Sequence, residues 1–227
     1  MKKIFVVFTA VMLVFPTLFA QEKTRMRPKD RLMIGLFTDM WTDLPGNMDT
    51  RTINRGVSID YVQDFPISTS NFSVAAGLGF MSHNLYVDED YLYQWDNDNQ
   101  YYDFLEITED FDKNKLSLNY LSVPVELRYR SRSLPNTLRV HAGLRAGLLV
   151  NAHTKYVGDD LAGTGREVKF KEGKLDNIEN FLLGLHGRIG YGRVNFYAYI
   201  PLTDLFEGNG ATENATFTTL GLSFIIF

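Results

Sequence analysis

The chain has 227 residues, 45% apolar and 22% charged, and no cysteine, which excludes disulfides, thiolate metal sites, cysteine nucleophiles and a lipid-modified cysteine. A mean hydropathy of −0.14 excludes a helical membrane protein. It does not exclude a barrel, whose polar lumen-facing residues alternate with lipid-facing ones. The formal net charge of −4 leaves no basic footprint for nucleic acid.

Lys2 and Lys3 precede a nearly unbroken apolar run from Ile4 to Phe19, and Ala20 leads into the polar Gln21-Glu22-Lys23. This is the pattern of a secretory signal peptide over 1–20, cut after Ala20. The apolar run is short for a span of about 20 residues. Cleavage would remove two lysines and take the net charge from −4 to −6. Residues 21–30 are polar and basic and are expected to form a periplasmic lead-in. No later stretch is apolar enough for a helical span.

From residue 31 to 227 the chain reads as strand after strand. The first strand is expected over 31–42, where Leu32, Ile34 and Leu36 alternate with Met33, Gly35, Phe37 and Asp39. Leu44-Pro45-Gly46-Asn47 carries turn chemistry. The second, over 52–64, sets Val57, Ile59 and Tyr61 against Asn54, Gly56, Ser58 and Asp60. A short turn near 65–70 leads to the third, over 71–86. There Phe72, Val74, Ala76, Leu78 and Phe80 oppose Ser73, Ala75, Gly77 and Gly79. A long acidic loop is expected over 87–114.

The fourth strand, over 115–130, has the clearest alternation. Leu121, Val123, Val125, Leu127 and Tyr129 face away from Ser122, Pro124, Glu126, Arg128 and Arg130. After a turn at 131–136, the fifth strand over 137–153 opposes Leu138, Val140, Leu144 and Leu148 to Arg139, His141, Gly143, Arg145 and Gly147. A polar loop follows at 157–177. The sixth strand, over 178–191, sets Phe181, Leu183, Leu185 and Ile189 against Gly184, His186, Arg188 and Gly190. Gly192-Arg193 turns into a seventh at 194–203, and a loop near 204–215 into an eighth at 216–227.

Eight strands, with short turns alternating with long loops, give an all-β, eight-stranded antiparallel up-and-down transmembrane β-barrel. A soluble sandwich or lipocalin-like barrel is the rival. The second face favours the membrane, because its glycines make room for long charged side chains inside a narrow barrel. Trp41, Tyr61, Phe80, Tyr129, Tyr191 and Phe206 are expected to form interfacial girdles. The last strand has a phase conflict. Leu220, Leu222, Phe224 and Ile226 share a face, while Ile225 and Phe227 fall on the other. A bulge, or a rim apolar on both faces, would resolve it.

Tyr120-Leu121-Ser122-Val123-Pro124-Val125-Glu126-Leu127-Arg128-Tyr129, followed by Gly143-Leu144-Arg145-Ala146-Gly147-Leu148-Leu149, resembles the PorT-like outer-membrane β-barrels of Bacteroidota. In that family a YL-x-(I/V)-P strand precedes a G-x-x-x-G strand. The resemblance implies an outer-membrane location. The family's named member serves a protein-secretion system, a role not carried over to this chain.

With the apolar faces in lipid, the lumen is expected to hold a charge network of Asp39, Asp60, Glu126, Arg128, Arg139, His141, Arg145, His186 and Arg188. So narrow a barrel is filled by its own side chains, and unpaired charges there would be costly. The expected role is a salt-bridged plug. A gated path through it is the sharper alternative. For an enzyme, a nucleophile and base must lie within reach. His83 beside Ser82 and His153 beside Thr154 sit at expected strand–loop junctions, and strand neighbours point to opposite faces. No zinc spacing, phosphate loop or dinucleotide fingerprint appears, so no catalytic residue, metal or cofactor is expected.

The acidic loop interleaves carboxylates with aromatic residues. Tyr91, Tyr93, Trp95, Asp96, Asp98, Tyr101, Tyr102 and Phe104 form its candidate partner-contact surface, since aromatic side chains anchor interfaces. Asp96-Asn97-Asp98-Asn99 begins like a calcium loop. It has Tyr101 and Ile107 where an EF-hand needs glycine and glutamate. The expected partners are the outer-membrane bilayer, the barrel-insertion machinery through the strand ending at Phe227, and a protein of an outer-membrane complex. The functional expectation is a non-enzymatic structural or accessory barrel. A small gated channel or transporter comes second and a lipid-directed enzyme third.

Overall fold

A computed structural model describes residues 30–44, 53–87, 92–95, 102–105, 109–132, 135–173, 175, 178–207 and 215–226, with 92–95 and 102–105 described by their backbone. Eleven strands are formed among them: β1 (Leu32–Thr42), β2 (Asn54–Pro66), β3 (Phe72–Tyr86), β4 (Leu92–Trp95), β5 (Tyr102–Leu105), β6 (Phe111–Arg130), β7 (Leu138–Asp159), β8 (Glu167–Gly173), β9 (Phe181–Tyr191), β10 (Val194–Pro201) and β11 (Thr216–Ile225). Eight of them close a barrel in the order β1-β2-β3-β6-β7-β9-β10-β11, with β11 returning to pair with β1. Every neighbour in that ring is antiparallel. Closure removes the edges a sheet would otherwise present.

The expected alternation sorts the side chains. Leu36, Ile59, Leu78, Leu121, Leu144, Leu185, Phe196 and Leu220 point outward and are 45–71% exposed. Between them, on the same strands, Asp60, Glu126, Arg145 and Arg188 are buried. A belt that is apolar outside and charged inside inverts a soluble protein and matches a barrel in lipid. The short connections through 67–71, Pro135–Thr137 and Gly192 lie at the same end as Asp30 and Ile226, the first and last described residues. That end is the periplasmic one by the short-turn rule.

Several expectations change at the opposite end. The acidic segment expected as a loop over 87–114 contains the hairpin β4–β5, whose register runs from Leu92 opposite Leu105 to Trp95 opposite Tyr102. It is also shorter than expected, because β6 begins at Phe111. β7 runs on to Asp159, and the polar loop expected over 157–177 holds β8, which pairs with the top of β7. These extensions have mixed polarity on both faces, so alternation in sequence gives little sign of them.

β7 carries one bulge at the upper edge of the belt. Asn119 pairs with Asn151 and Tyr120 with Leu149, which leaves Val150 unpaired. The extra residue exchanges the faces of β7. Below it, odd-numbered residues such as Arg145 and Gly147 are buried. Above it, the even-numbered Thr154 and Tyr156 are buried.

Two aromatic residues assigned to the girdle lie inside instead. Phe206 is 4% exposed within the inner apolar cluster, and Trp41 packs against it, its indole N–H donating to the Tyr86 carbonyl. Their positions on loop-proximal, inward-facing sites outweigh the general preference of aromatics for the interface. The phase conflict in the last strand resolves without a bulge. β11 pairs continuously with β1 to Ile225 opposite Met33, and Ile225, Met33 and Val62 form a small apolar cluster inside the periplasmic rim. Phe227 lies outside the described residues.

Candidate functional site

The interior is built in layers, each placed by the register of facing strands. The lowest centres on Asp30. Its carboxylate accepts from Arg130 Nε at 2.9 Å and Arg139 Nε at 3.0 Å. Arg130 also donates to Asp64 at 2.9 Å and to the Ser73 hydroxyl at 3.1 Å. Arg139 donates to the carbonyls of Pro135 and Gly192, fastening two periplasmic turns. Asp30 was expected to belong to the lead-in segment outside the barrel. Two arginines reaching down from β6 and β7 bring it inside.

The middle layer holds seven of the nine residues expected to form the network. Arg145 grips Asp60 with both terminal nitrogens, at 2.9 and 2.7 Å, and Arg188 donates to the same carboxylate at 2.7 Å. Glu126 accepts from Arg128 at 2.7 Å, lies 2.9 Å from His186 Nε2, and accepts from Arg188. Arg188 thus bridges the two carboxylates. His141 lies beside them, its Nδ1 3.7 Å from Glu126, without a hydrogen bond among the described residues. The Tyr197 ring lies 5.1 Å from the Arg188 guanidinium and 6.0 Å from that of Arg145, within cation–π range. Arg128 joins the layers, donating to the Asp30 carbonyl at 3.1 Å and approaching Asp64 at 3.7 Å. Arg139 takes part in the lower layer rather than this one.

Asp39 does not join either layer. Higher in the barrel, its two oxygens lie 3.0 Å from His83 Nδ1, and the Thr219 hydroxyl donates to it. The rings of Phe37, Tyr120 and Phe217 surround His83 at 5.1, 6.1 and 4.7 Å. The expected strand–loop position of His83 is therefore corrected to a buried one. The signal for it was the spacing from Gly77 and Gly79, which puts residue 83 on the inner face. A carboxylate beside an imidazole resembles half of a triad, but Thr219 donates to Asp39 and not to the imidazole, and the pair is at most 1% exposed. Nothing there can meet a substrate. Asp39→Ala removes the partner of both groups and is expected to cost about 1–3 kcal/mol, read as a lower thermal midpoint of the detergent-solubilised barrel.

Above this pair the interior turns apolar. Leu85, Val87, Leu116, Leu118, Ile178 and Leu205 are all at most 2% exposed and close the extracellular end. Small residues make the filling fit. A Cβ on Gly56 would meet the Phe37 ring, and one on Gly184 the Tyr199 ring. Among the described residues the interior thus runs from charged layers near Asp30 and Glu126 to an apolar cap around Leu116 and Leu205.

Of the partner-contact residues, Tyr93 and Trp95 lie in β4 and Tyr102 and Phe104 in β5. Tyr91, Asp96, Asp98 and Tyr101 lie outside the described residues, as do the start of the calcium-like segment and the signal segment 1–20.

Closed strands, a lipid-facing belt and an ion-paired interior define a small outer-membrane β-barrel protein. The chain belongs to the outer membrane protein beta-barrel domain family, whose model matches residues 19–207. No curated protein matches the sequence. Among solved structures, the chain is similar to Ail, the attachment invasion locus protein of Yersinia pestis, in complex with the heparin analogue sucrose octasulfate. Identity is 13%, the TM-score 0.39, and the match covers 86% of this chain and 96% of that one. A second structure of Ail matches at 12% identity and a TM-score of 0.39, covering 86% and 95%.

Proposed function

We propose that this chain is a non-enzymatic structural or accessory barrel that contributes to an outer-membrane complex and meets a protein partner through the segment carrying the β4–β5 hairpin. The carrying observation is the filled interior. From Asp30 up to Phe206 the lumen is occupied by paired charges and then by apolar side chains, which leaves the surface as the place for function. The hairpin supports the choice of surface: β4 and β5 form a two-stranded sheet separate from the barrel, in a segment dense in tyrosine and carboxylate. The strand motifs at Tyr120–Tyr129 and Gly143–Leu149 favour the PorT-like barrels within the family, and Lys2, Lys3 and the apolar run to Phe19 support export by a signal cleaved after Ala20. The ring closed between β1 and β11 is consistent with delivery to the barrel-insertion machinery through the C-terminal strand.

The test is purification from native outer membrane in mild detergent, with mass spectrometry of what accompanies the barrel. The control lacks residues 88–108, which spares β6. A stoichiometric partner present with the full chain and absent from the variant is the expected result. A lone barrel from both would remove the complex reading.

A small gated channel is the second reading, favoured by the arginines around the middle of the lumen. A conducting path would have to break the Arg188 bridge and then cross the apolar cap. In planar bilayers the full chain is expected to show no conductance above baseline. Discrete openings would transfer the function to that reading.

A further inference from the structure

Above the bulge at Val150 the outer surface changes from apolar to cationic. Directly over the belt, Asn119 donates to Asn151 at 3.3 Å across the β6–β7 seam, and Ser117 and His153 pair above them. The next row sets Lys115 opposite Lys155, and Lys155 opposite Lys171. Three lysines thus occupy one row across three neighbouring strands, on one face. Lys113 and Lys169 flank Val157 in the row beyond. Exposed Arg55 on β2 continues the patch across a depression lined by Ile53, Arg55, Tyr86 and Lys113.

Like charges directly opposite in a sheet are destabilising. Among the described residues none of these five lysines forms an ion pair with a carboxylate. Lys115 donates to the Asn84 side chain and lies 5.7 Å from the Tyr86 ring centre. Partial burial pushes its ammonium down, and Lys155, Lys113 and Lys171 push the same way. Partial burial depresses the neighbouring His153, and Lys171, Lys115 and Lys155 push it the same way. The first carboxylates on the face are at its far edge, in Asp112, Asp159 and Glu167. The uncompensated charge therefore lies on the side nearer the membrane.

We propose that this lysine ladder docks the phosphates of the outer leaflet's glycolipid, on its head group and inner saccharide. The position decides among anions. The patch continues the lipid-facing belt upward on the same strands, at the extracellular end. About 20 Å of strand separates Leu121 from Lys115 at the usual rise, and strand tilt and lysine reach shorten the gap. A phosphorylated saccharide resting on the bilayer fills that level, and its charge offsets the repulsion within the row. The inference does not depend on a protein partner for the hairpin.

The test uses the purified full-length barrel in detergent and native mass spectrometry, titrated with rough lipopolysaccharide and with the same glycolipid dephosphorylated. The variant is Lys115→Gln with Lys155→Gln and Lys171→Gln. The control is Arg193→Gln, an exposed cation in the periplasmic turn. Near a membrane surface each lysine contributes enough that losing three should weaken the phosphorylated ligand on the order of 100-fold. The control should bind as the parent does, and millimolar inorganic phosphate should not displace the glycolipid. Equal binding of the two glycolipids by the parent, or unchanged binding in a folded triple variant, would overturn the proposal. Displacement by free phosphate would assign the patch to a soluble anion instead and overturn it equally. Heat-modifiable migration on a gel keeps misfolding of the variant from passing as lost binding.

Discussion

Glu126→Gln is expected to destabilise the barrel by about 3–5 kcal/mol, the usual cost of removing one partner from buried, paired charges. Glu126 is fully enclosed and is approached by Arg128, Arg188 and His186. The neutral amide keeps the shape and loses the charge. Asp60 would then be the carboxylate left to Arg188, which it already shares with Arg145. Reversible urea unfolding in detergent or vesicles would give the value, since the free energy falls linearly with denaturant. The double variant Glu126→Gln/Arg188→Met removes charge and countercharge together. Its loss should fall short of the sum of the singles by about 0.5–3 kcal/mol, as for residues in direct contact. A Glu126→Gln barrel within about 0.5 kcal/mol of the parent would remove the network from the account of stability, because ordinary surface changes lie in that range.

The second large effect is expected at Gly143, opposite Glu126 in the β6–β7 register. An added Cβ would overlap the Val125 carbonyl oxygen and crowd the Glu126 Cα, both backbone atoms. A flexible side chain could swing away; a strand in a closed ring cannot. Gly143→Ala should therefore cost about 3 kcal/mol or more, at or above the upper end of ordinary overpacking. Gly147, four residues on, supplies the control. Its Cβ would meet only the Tyr120 side chain, at 3.4 Å, and Gly147→Ala should stay within about 1 kcal/mol of the parent. Heat-modifiable migration and urea midpoints of the two variants would separate them. Equal behaviour would mean that the seam relaxes and that the first glycine of the G-x-x-x-G strand is not a packing requirement.

Much of the barrel was legible in sequence because lipid imposes a sharp contrast. On β6, Leu121, Val125 and Leu127 meet hydrocarbon while Glu126 and Arg128 meet each other, so a period of two stands out. The legibility fails where that contrast ends. Above the belt the contrast fades or inverts, with Leu116 and Leu118 of β6 turned inward and Lys115, Ser117 and Asn119 on the other face, and the hairpin β4–β5 and strand β8 go unseen. Asp39 illustrates a different failure. Its inward face was readable, but alternation carries no information on height, and only the pairing of β1 with β2 and β11 lifts it to His83 and Thr219. Asp30 precedes its strand altogether and is recruited by arginines about a hundred residues away in sequence. Trp41 and Phe206 show that residue type alone does not decide between girdle and core.

Val150 divides one strand into two independent reading frames. Below it the odd positions of β7 answer to the ion network; above it they answer to water and the lysine row. Deleting Val150 would rejoin the frames, turning Lys155 inward and Tyr156 outward without altering either residue. One unpaired residue therefore lets the portion in the bilayer and the portion above it be composed by separate rules. The ectodomain can be rewritten, or exchanged for another, at a joint where the hydrophobic wall need not change.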